Sequence, residues 1–280
     1  MICEKVDLYR YFNLDRGEST GGYLQTYVPH NTFELRPKTR PAILVIPGGG
    51  YQMVSEREGE PVAFRFLEDG YCAFVLEYSV KTKFPVPLLE ACMAVVYVRE
   101  NAERFHADSE HVAAVGFSAG GHLLGMLANC YRDREIVALL GEKAKRAYLN
   151  AAIYSYSVIT TGEKTHKETC QTITGGDAEL KERLSIEKRI TKDSPPAFIW
   201  HTLGDDCVPV ENALLLAEAY RRVRVPFEIY LFEHGWHGLS VCNEETSNPC
   251  DERPFFEHIA KWYGLAGEWL ALHGFKVKSE

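Results

Sequence analysis

Residues 111–127 read His-Val-Ala-Ala-Val-Gly-Phe-Ser-Ala-Gly-Gly-His-Leu-Leu-Gly-Met-Leu and predict three pieces of structure in succession. The apolar run at the start predicts a buried strand, the small residues after Ser118 allow a sharp turn, and the apolar residues from His122 onward predict a helix. In the pattern Gly116-x-Ser118-x-Gly120, such a turn raises the serine hydroxyl above the edge of a sheet, next to the positive end of the helix. Ser118 is therefore a candidate nucleophile.

A second match to the Gly-x-Ser-x-Gly pattern, at residues 17–21, lacks this context. Ser19 lies between two short Tyr-rich alternating runs, residues 6–12 and 22–28, which predict a hairpin of antiparallel edge strands. A serine in a hairpin turn has an ordinary structural role, so we assign no chemistry to Ser19.

The rest of the chain alternates apolar runs with helical patterns, which is typical of a parallel sheet covered by helices on both faces. Apolar runs predict buried strands at residues 42–46, 72–76, 112–116, 147–153, 197–201 and 227–232. Apolar spacings of three and four predict helices at residues 61–68, 87–104, 119–131, 210–223 and 255–273. The polar residues 155–195 predict a small insertion that can overhang the site. We therefore predict one α/β domain over residues 1–280, with antiparallel N-terminal strands.

An acid that acts with Ser118 is expected at the end of a later strand, because the order along the chain in such sites is Ser, acid, His. Asp205 and Asp206 follow the strand predicted at residues 197–201. Asp205 lies three residues before the Val208-Pro209 pair that opens the next predicted helix, which suits a carboxylate pointing back over the sheet, whereas Asp206 can cap that helix. We favour Asp205 and keep Asp206 as the alternative.

The base is expected after the last predicted strand, where His234 and His237 lie. His237 precedes a glycine at the far end of the loop, whereas His234 is close enough to the strand to be packed against it. We favour His237 and keep His234 as the alternative. Structural or surface roles are assigned to six further histidines, His30, His106, His111, His122, His166 and His201.

The segment Pro47-Gly-Gly-Gly-Tyr51 directly follows the strand predicted at residues 42–46. Its three glycines leave backbone N–H groups unobstructed, as donors to a developing negative charge require. A phosphate-binding loop is disfavoured, because no Lys-Ser/Thr follows and no G-x-G-x-x-G pattern is completed. The next residues, Tyr51, Arg57 and Glu58, can face a substrate or form a solvated helix face.

The composition excludes several classes of protein. Hydrophobic residues make up 46% and charged residues 25% of the 280 residues, as in ordinary soluble globular proteins. The formal net charge of -8 argues against a nucleic-acid partner, whose phosphates need a basic face. No run approaches the roughly 20 apolar residues of a membrane span, and residues 1–10 carry charges where a signal peptide has its apolar core. We therefore expect a cytoplasmic protein with no membrane partner.

The sequence has 8 cysteines, and no two of them form a C-x-x-C pair. It therefore indicates neither a zinc site nor a redox dithiol. Cys242 and Cys250, with His258 beyond them, leave a minor alternative of metal ligands or a loop disulfide, which a reducing compartment disfavours. We expect no metal and no cofactor.

With these residues in place, the chain resembles the α/β-hydrolase superfamily. Within it, the resemblance is to esterases and lipases with a Gly-rich oxyanion loop, close to bacterial acetyl-xylan-esterase-like carbohydrate esterases. It covers nearly the whole chain and rests on the motifs Pro47-Gly-Gly-Gly-Tyr51, Ser55-Glu-Arg-Glu58, Gly116-Phe-Ser-Ala-Gly-Gly-His122, Pro195-Pro-Ala-Phe198 and Asp205-Asp-Cys-Val-Pro-Val-Glu-Asn212. The chain departs from the hormone-sensitive-lipase-like branch at Pro47, where that branch has a histidine that helps to order the loop.

The resemblance implies an α/β-hydrolase fold and a serine esterase that removes short acyl groups, acetyl foremost, from an acylated carbohydrate or another small ester. The catalytic triad that it implies consists of Ser118, Asp205 and His237. The oxyanion hole that it implies consists of the N–H groups of Gly49, Gly50 and Ala119.

Two alternatives stay open, a prolyl-peptidase-like serine peptidase and a catalytically silent hydrolase-fold binding protein. The sequence predicts neither the natural ester, the acyl length nor the oligomeric state. Residues 155–195 and 241–256 are candidate lids.

Overall fold

The computed structural model describes residues 1–34, 38–247 and 256–279, and the structural statements below refer to these residues. Their strands are β1 (Lys5–Asp7), β2 (Tyr23–Tyr27), β3 (Lys38–Ile46), β4 (Cys72–Glu77), β5 (Ala107–Phe117), β6 (Ala151–Ser155), β7 (Ala197–Thr202), β8 (Phe227–Phe232) and β9 (Lys278–Ser279). Their α-helices are α1 (Leu8–Phe12), α2 (Glu60–Glu68), α3 (Val86–Glu100), α4 (Ala102–Phe105), α5 (Ala119–Cys130), α6 (Arg134–Leu140), α7 (Lys167–Thr174), α8 (Ala178–Arg183), α9 (Glu211–Val223) and α10 (Phe256–Leu272). Short 3-10 turns lie at Glu56–Glu58, Gly141–Arg146 and Ile186–Lys188.

These strands join one sheet in the order β1-β2-β4-β3-β5-β6-β7-β8, with β9 beside the start of β3. Strands β3 to β8 pair in parallel, whereas β1, β2 and β9 pair antiparallel to their neighbours. The prediction of a mostly parallel sheet with antiparallel N-terminal strands is confirmed. Because the carboxyl ends of parallel strands lie at one edge, the loops after β3, β5, β7 and β8 meet there.

Helices cover both faces of the sheet, as predicted. Leu44 and Ile46 of β3 contribute to an apolar layer with α3, α5 and α9, whereas Ile43 and Val45 contribute to a second layer with α2 and α10. This alternation follows the period of two that strand side chains have. These four side chains are at most 1% exposed, and each such burial stabilises the fold by about 1.5–3 kcal/mol.

The hairpin predicted at residues 6–12 and 22–28 is only partly present. Strands β1 and β2 do pair antiparallel, but the first predicted strand is wrong from Leu8 onward, where the chain forms α1. The carboxylate of Asp7 accepts the N–H of Arg10 at 3.1 Å and caps this helix. Such a local bond competes with an extended chain, which explains the short strand.

Ser19, in the second Gly-x-Ser-x-Gly match, has the structural role expected of it. Its hydroxyl is buried and donates to Oε1 of Glu90 at 2.7 Å. The other oxygen of Glu90 accepts the N–H of Ser79 at 2.6 Å, and burial raises the pKa of this carboxyl group. The cluster ties the connection before β2 to the segment after β4.

Several other predicted boundaries shift. The strand predicted at residues 147–153 begins only at Ala151, because the N–H of Ala147 still bonds back to Ala144 in a 3-10 turn. The helix predicted at residues 87–104 is divided at Asn101 into α3 and α4. Helix α6 was not predicted, and residue 255, the predicted start of α10, lies outside the described residues.

The predicted insertion is present between β6 and β7 and contains α7 and α8. No described helix has the length and apolar character needed to cross a membrane. Cys242 is buried, but Cys250 and part of the candidate lid at residues 241–256 lie outside the described residues. The interpretation of residues 1–280 as one domain stays a prediction.

Candidate active site

The strand, turn and helix predicted around Ser118 are present. Ser118 follows β5 directly and has φ +52° and ψ −121°, a strained conformation for a residue with a side chain. Helix α5 begins at the next residue, so the serine lies at a helix N-terminus. A Cβ at Gly120 would lie 2.2 Å from the carbonyl oxygens of Ile46 and Pro47, so only glycine lets the turn approach the end of β3.

Three of the predicted site residues form one hydrogen-bonded row. Oγ of Ser118 lies 2.7 Å from Nε2 of His237, and Nδ1 of His237 lies 2.8 Å from Oδ2 of Asp205. These side chains follow β5, β7 and β8, whose carboxyl ends share one edge of the sheet. An imidazole between a hydroxyl and a carboxylate can take the hydroxyl proton while the carboxylate stabilises the charge that results.

Asp205, rather than Asp206, contacts the imidazole. Its carboxylate is closed off from solvent, and its second oxygen accepts the N–H groups of Cys207 at 2.9 Å and Val208 at 2.8 Å. Burial raises the pKa of Asp205, but hydrogen bonds from His237 and from these amides outweigh it, so the pKa lies below the usual range. Asp206 is exposed, and it is Asp205 that accepts the N–H groups of the next two residues, Cys207 and Val208.

His237, rather than His234, lies beside Ser118. The prediction that His234 packs against the strand is wrong, because its side chain is 56% exposed. The ring of His237 lies edge-on to the ring of Tyr156, with centroids 5.1 Å apart. Tyr156 is fully buried, so it forms a rigid wall on one side of the imidazole.

The glycine loop after β3 lies next to Ser118, since a Cβ at Gly48 would lie 2.9 Å from that of the serine. Gly49 and Gly50 have φ values of +117° and +64°, and they line the same cleft as Ser118. Within the described part of the chain, their N–H groups donate to no acceptor. Such groups can receive a negatively charged oxygen. An oxyanion hole of Gly49, Gly50 and Ala119 stays a prediction.

Of the three residues singled out after this loop, only Arg57 is exposed, and it lines the cleft. Glu58 is buried, and so is Tyr51, whose hydroxyl contacts Nδ1 of His122 at 3.0 Å. Nε2 of His122 bonds to the carbonyl oxygen of Leu184 at 2.9 Å, so both ring nitrogens have partners. Burial lowers the pKa of His122 to about 4, in keeping with a neutral, structural histidine.

Ser118 and His237 line a cleft of about 580 Å³. His166 and Glu168, at the start of α7, line this cleft, so the insertion does reach over the site. His166 lies at the N-terminal end of α7, a structural position of the kind expected for it, and it also lines the cleft. Burial and the nearby His237 lower the pKa of His166. The residues next to His166 in the sequence do not indicate that it lies beside the cleft. Only the prediction that the insertion overhangs the site points to this.

No group of three His, Cys, Asp or Glu side chains in the described ranges is arranged to hold a metal ion. The alternative that pairs Cys242 and His258 with Cys250 depends on a residue outside those ranges.

The chain is similar to curated proteins whose names describe a xylanase or an acetylxylan esterase. It is 39% identical over 218 residues to Endo-1,4-beta-xylanase B of Butyrivibrio fibrisolvens, a match that covers 74% of this chain and 33% of that protein. It is 26% identical over 239 residues to Acetylxylan esterase of Xylanibacter ruminicola, covering 81% of this chain and 46% of that protein. The chain thus spans less than half the length of each of these relatives.

A solved structure matches nearly the whole chain. The acetyl ester-xyloside bifunctional hydrolase from Caldicellulosiruptor lactoaceticus has a TM-score of 0.80 and 30% identity, and the match covers 98% of this chain and 97% of that one. The α/β-hydrolase fold and the resemblance to acetylxylan esterases are therefore confirmed. The BD-FAE family model matches residues 24–220, well over half of the sequence, and the chain therefore belongs to the BD-FAE family.

Proposed function

We propose that this protein is a serine carboxylic-ester hydrolase that removes short acyl groups, acetyl foremost, from an acylated carbohydrate or another small ester. The observation that carries the proposal is the hydrogen-bonded row of Ser118, His237 and Asp205 beside an open cleft. The names of its esterase relatives support the same activity.

In the first half of the reaction, Oγ of Ser118 attacks the ester carbonyl carbon while Nε2 of His237 takes the hydroxyl proton. The carbonyl oxygen becomes negatively charged and is received by the N–H groups of Gly49, Gly50 and Ala119. His237 then gives its proton to the departing alcohol oxygen as the bond between that oxygen and the acyl carbon breaks. The acyl group stays on Ser118.

In the second half, a water molecule attacks the acyl carbon and loses a proton to His237. That proton returns to Oγ of Ser118 as the acid leaves, which restores the starting state. Throughout, Asp205 holds the proton of Nδ1 toward itself, so Nε2 is kept available as the base.

A carbohydrate ester is the proposed substrate class because the similar proteins carry xylan and acetyl ester chemistry in their names. The cleft also offers polar side chains close to the triad, which suit the hydroxyl groups of a sugar. These side chains are Gln52, Arg57, His166 and Glu168.

The test is acetate release from acetylated xylo-oligosaccharides, with an aryl acetate as a second substrate and the Ser118→Ala protein as the blank. We expect release from both substrates and none above background in the variant. Hydrolysis of the aryl acetate alone would support the esterase activity and overturn the carbohydrate ester as its substrate. Full activity in Ser118→Ala would overturn the proposal. The cytoplasmic location and the lid roles stay predictions.

A further inference from the structure

Glu58 is a buried carboxylate, 3% exposed, at the end of the 3-10 turn that borders the cleft. Its two oxygens take hydrogen bonds from two different parts of the site. Oε2 accepts the N–H of Gly48 at 2.7 Å, and Oε1 accepts the hydroxyl of Tyr156 at 2.6 Å. Each oxygen of Glu58 thus holds one partner, and the side chain joins Gly48 to Tyr156 by two hydrogen bonds.

The first of these partners sets the glycine loop. Gly48 immediately precedes Gly49 and Gly50, the two proposed donors to the oxyanion. The carbonyl oxygens of Gly48 and Gly49 accept the N–H groups of Ser55 at 3.1 Å and Gln52 at 2.9 Å, and because each peptide group is planar, these bonds together with that of Glu58 orient the N–H groups of Gly49 and Gly50. The hydroxyl of Tyr78 donates to the carbonyl oxygen of Pro47 at 2.8 Å, so the loop is held on both sides of that peptide group.

The second partner leads to the base. The ring of Tyr156 packs edge-on against the ring of His237. The hydroxyl of Tyr156 also accepts the N–H of Ser240, which lies three residues after His237, at 2.9 Å. Oγ of Ser240 donates to the carbonyl oxygen of Arg57 at 2.6 Å, which ties the same loop to the residue before Glu58. Burial, followed by the charge of Glu58, raises the pKa of Tyr156 far above its usual range, so its hydroxyl keeps the proton that it donates.

We propose that Glu58 is a positioning residue that holds the glycine loop and the His237 loop at a fixed distance, so that both meet the same ester carbonyl. This inference rests on the proposed esterase function. The oxyanion donors and the base come from loops that follow β3 and β8, which are separated in the sheet by β5, β6 and β7. Glu58 links these loops by a path of two side chains. A displacement of about 1 Å between such groups can slow catalysis about 100-fold.

Glu60 provides a matched control, because it also accepts a hydrogen bond from a tyrosine hydroxyl but holds neither loop of the site. It lies two residues further along, it is exposed, and it accepts the hydroxyl of Tyr27 outside the cleft. Loss of Glu60 removes the same kind of bond from the same region without touching either loop of the site.

The first test compares kcat and KM for an aryl acetate in the wild-type, Glu58→Ala, Glu58→Gln and Glu60→Ala proteins. We expect Glu58→Ala to lower kcat about 100-fold with little change in KM, because substrate binding does not depend on the register of the two loops. Glu58→Gln should recover only part of that loss, because its amide oxygen can accept the N–H of Gly48, but its NH2 group then faces Tyr156 and leaves the hydroxyl proton of that residue without its acceptor. Glu60→Ala should match the wild type.

Tyr156→Phe covers the case in which Glu58→Ala fails to fold. It keeps the ring against His237 and removes only the hydroxyl that joins Glu58 to Ser240, and we expect a loss in kcat of about tenfold. Wild-type kcat in folded Glu58→Ala, or in Tyr156→Phe should the first variant not fold, overturns the inference. So does an effect confined to KM.

Hydrogen–deuterium exchange tests the linkage without turnover. In Glu58→Ala and Tyr156→Phe, exchange should rise together in peptides that cover residues 47–51 and 236–242, with a smaller rise in Glu58→Gln, while the rest of the chain is unchanged. Unchanged exchange in both peptides, or a rise across the whole chain, overturns the inference even if the protein proves to have no esterase activity. Wild-type activity no higher than that of Ser118→Ala, with coupled exchange still present, instead counts against the proposed function alone.

Discussion

Nδ1 of His237 lies 2.8 Å from Oδ2 of Asp205, on a carboxylate that is closed to solvent. The second oxygen of this carboxylate is held by two backbone N–H groups, so it cannot rotate away from the imidazole without losing them. An ionised acceptor at Nδ1 keeps the proton there and leaves Nε2 free to act as a base toward Ser118. The orientation of the His237 ring is therefore set by the chain immediately after β7.

Replacing Asp205 with asparagine tests this relationship. An amide can donate to Nδ1 and favour the wrong tautomer, so we expect kcat to fall about 10⁴-fold while the fold is kept. Asp206→Asn, at an exposed position one residue along, is the control and should stay near the wild type. Initial rates on an aryl acetate decide the matter, and equal losses in the two variants would contradict the assignment of the acid.

His234 and His237, which both follow β8, allow a paired test of the same kind. His237→Ala removes the base and should cost about a million-fold in kcat, whereas His234→Ala changes a side chain that is 56% exposed and should have little effect. Both variants should unfold at temperatures close to that of the wild type. A large loss in His234→Ala, with activity kept in His237→Ala, would reverse the assignment of the base.

Gly49 and Gly50 should respond differently to alanine. A Cβ at Gly49 would lie 2.2 Å from the carbonyl oxygen of Met53, so the loop must move and kcat should fall about 100- to 1000-fold, as for loss of one oxyanion donor. At Gly50 the nearest atom lies at 3.7 Å and φ is +64°, so the cost is backbone strain of about 1–2 kcal/mol. Urea unfolding and kcat measured on both variants separate the two effects. Equal behaviour of the two variants would contradict the crowding at Gly49.

His122 should make stability depend on pH. Burial lowers its pKa to about 4 in the folded protein, whereas a histidine in the unfolded chain has its ordinary pKa of 6.5. Between these values the unfolded chain binds more protons, so the stabilisation is present above pH 6.5 and is lost as the pH falls toward 4. From pH 7.5 to pH 5 we expect a loss of about 2 kcal/mol from this group.

Urea unfolding of the wild type and His122→Gln at the two pH values measures that loss. The variant has no group that titrates at this position, so its stability should fall about 2 kcal/mol less than that of the wild type over the same interval. Parallel losses in both proteins would show that His122 is not the source.

His166 should affect the substrate more than the chemistry. Its side chain lines the cleft but makes no contact with Ser118, so His166→Ala should raise KM for acetylated oligosaccharides about fivefold, the worth of one lost hydrogen bond, and leave an aryl acetate nearly unaffected. Lys167→Ala, at the exposed next position, is the control. An equal effect of His166→Ala on both substrates would count against a role in alcohol recognition.

The parts of the site that the sequence predicts are those with a local signal. Ser118 lies in a strand, turn and helix that are contiguous along the chain, and the glycine loop directly follows a buried strand. The choice of Asp205 over Asp206 and of His237 over His234 also follows local spacing. In the structure Asp205 and His237 lie within hydrogen-bond distance of each other, and the packing expected of His234 is absent.

The parts that the sequence does not predict depend on contacts between distant segments. Glu58 meets Tyr156 across 98 positions, and no pattern near either residue indicates the pairing. His166 reaches the cleft only because the insertion folds back over the sheet edge. In α1, the side chain of Asp7 caps a helix turn and overrides the alternation that predicts a strand. In each case tertiary or capping contacts determine the local structure, and the periodicity of the sequence does not predict such contacts.

The close approach at Gly120 has a practical consequence for directed evolution. A library that randomises the turn around Ser118 places side chains against the carbonyl oxygens of Ile46 and Pro47, and most of its members will not fold. Gln52 and Met53 border the cleft from the loop after β3, and Glu168 borders it from the first turn of α7, away from this close approach. Diversity aimed at a new ester specificity therefore belongs at Gln52, Met53 and Glu168, with the turn left untouched.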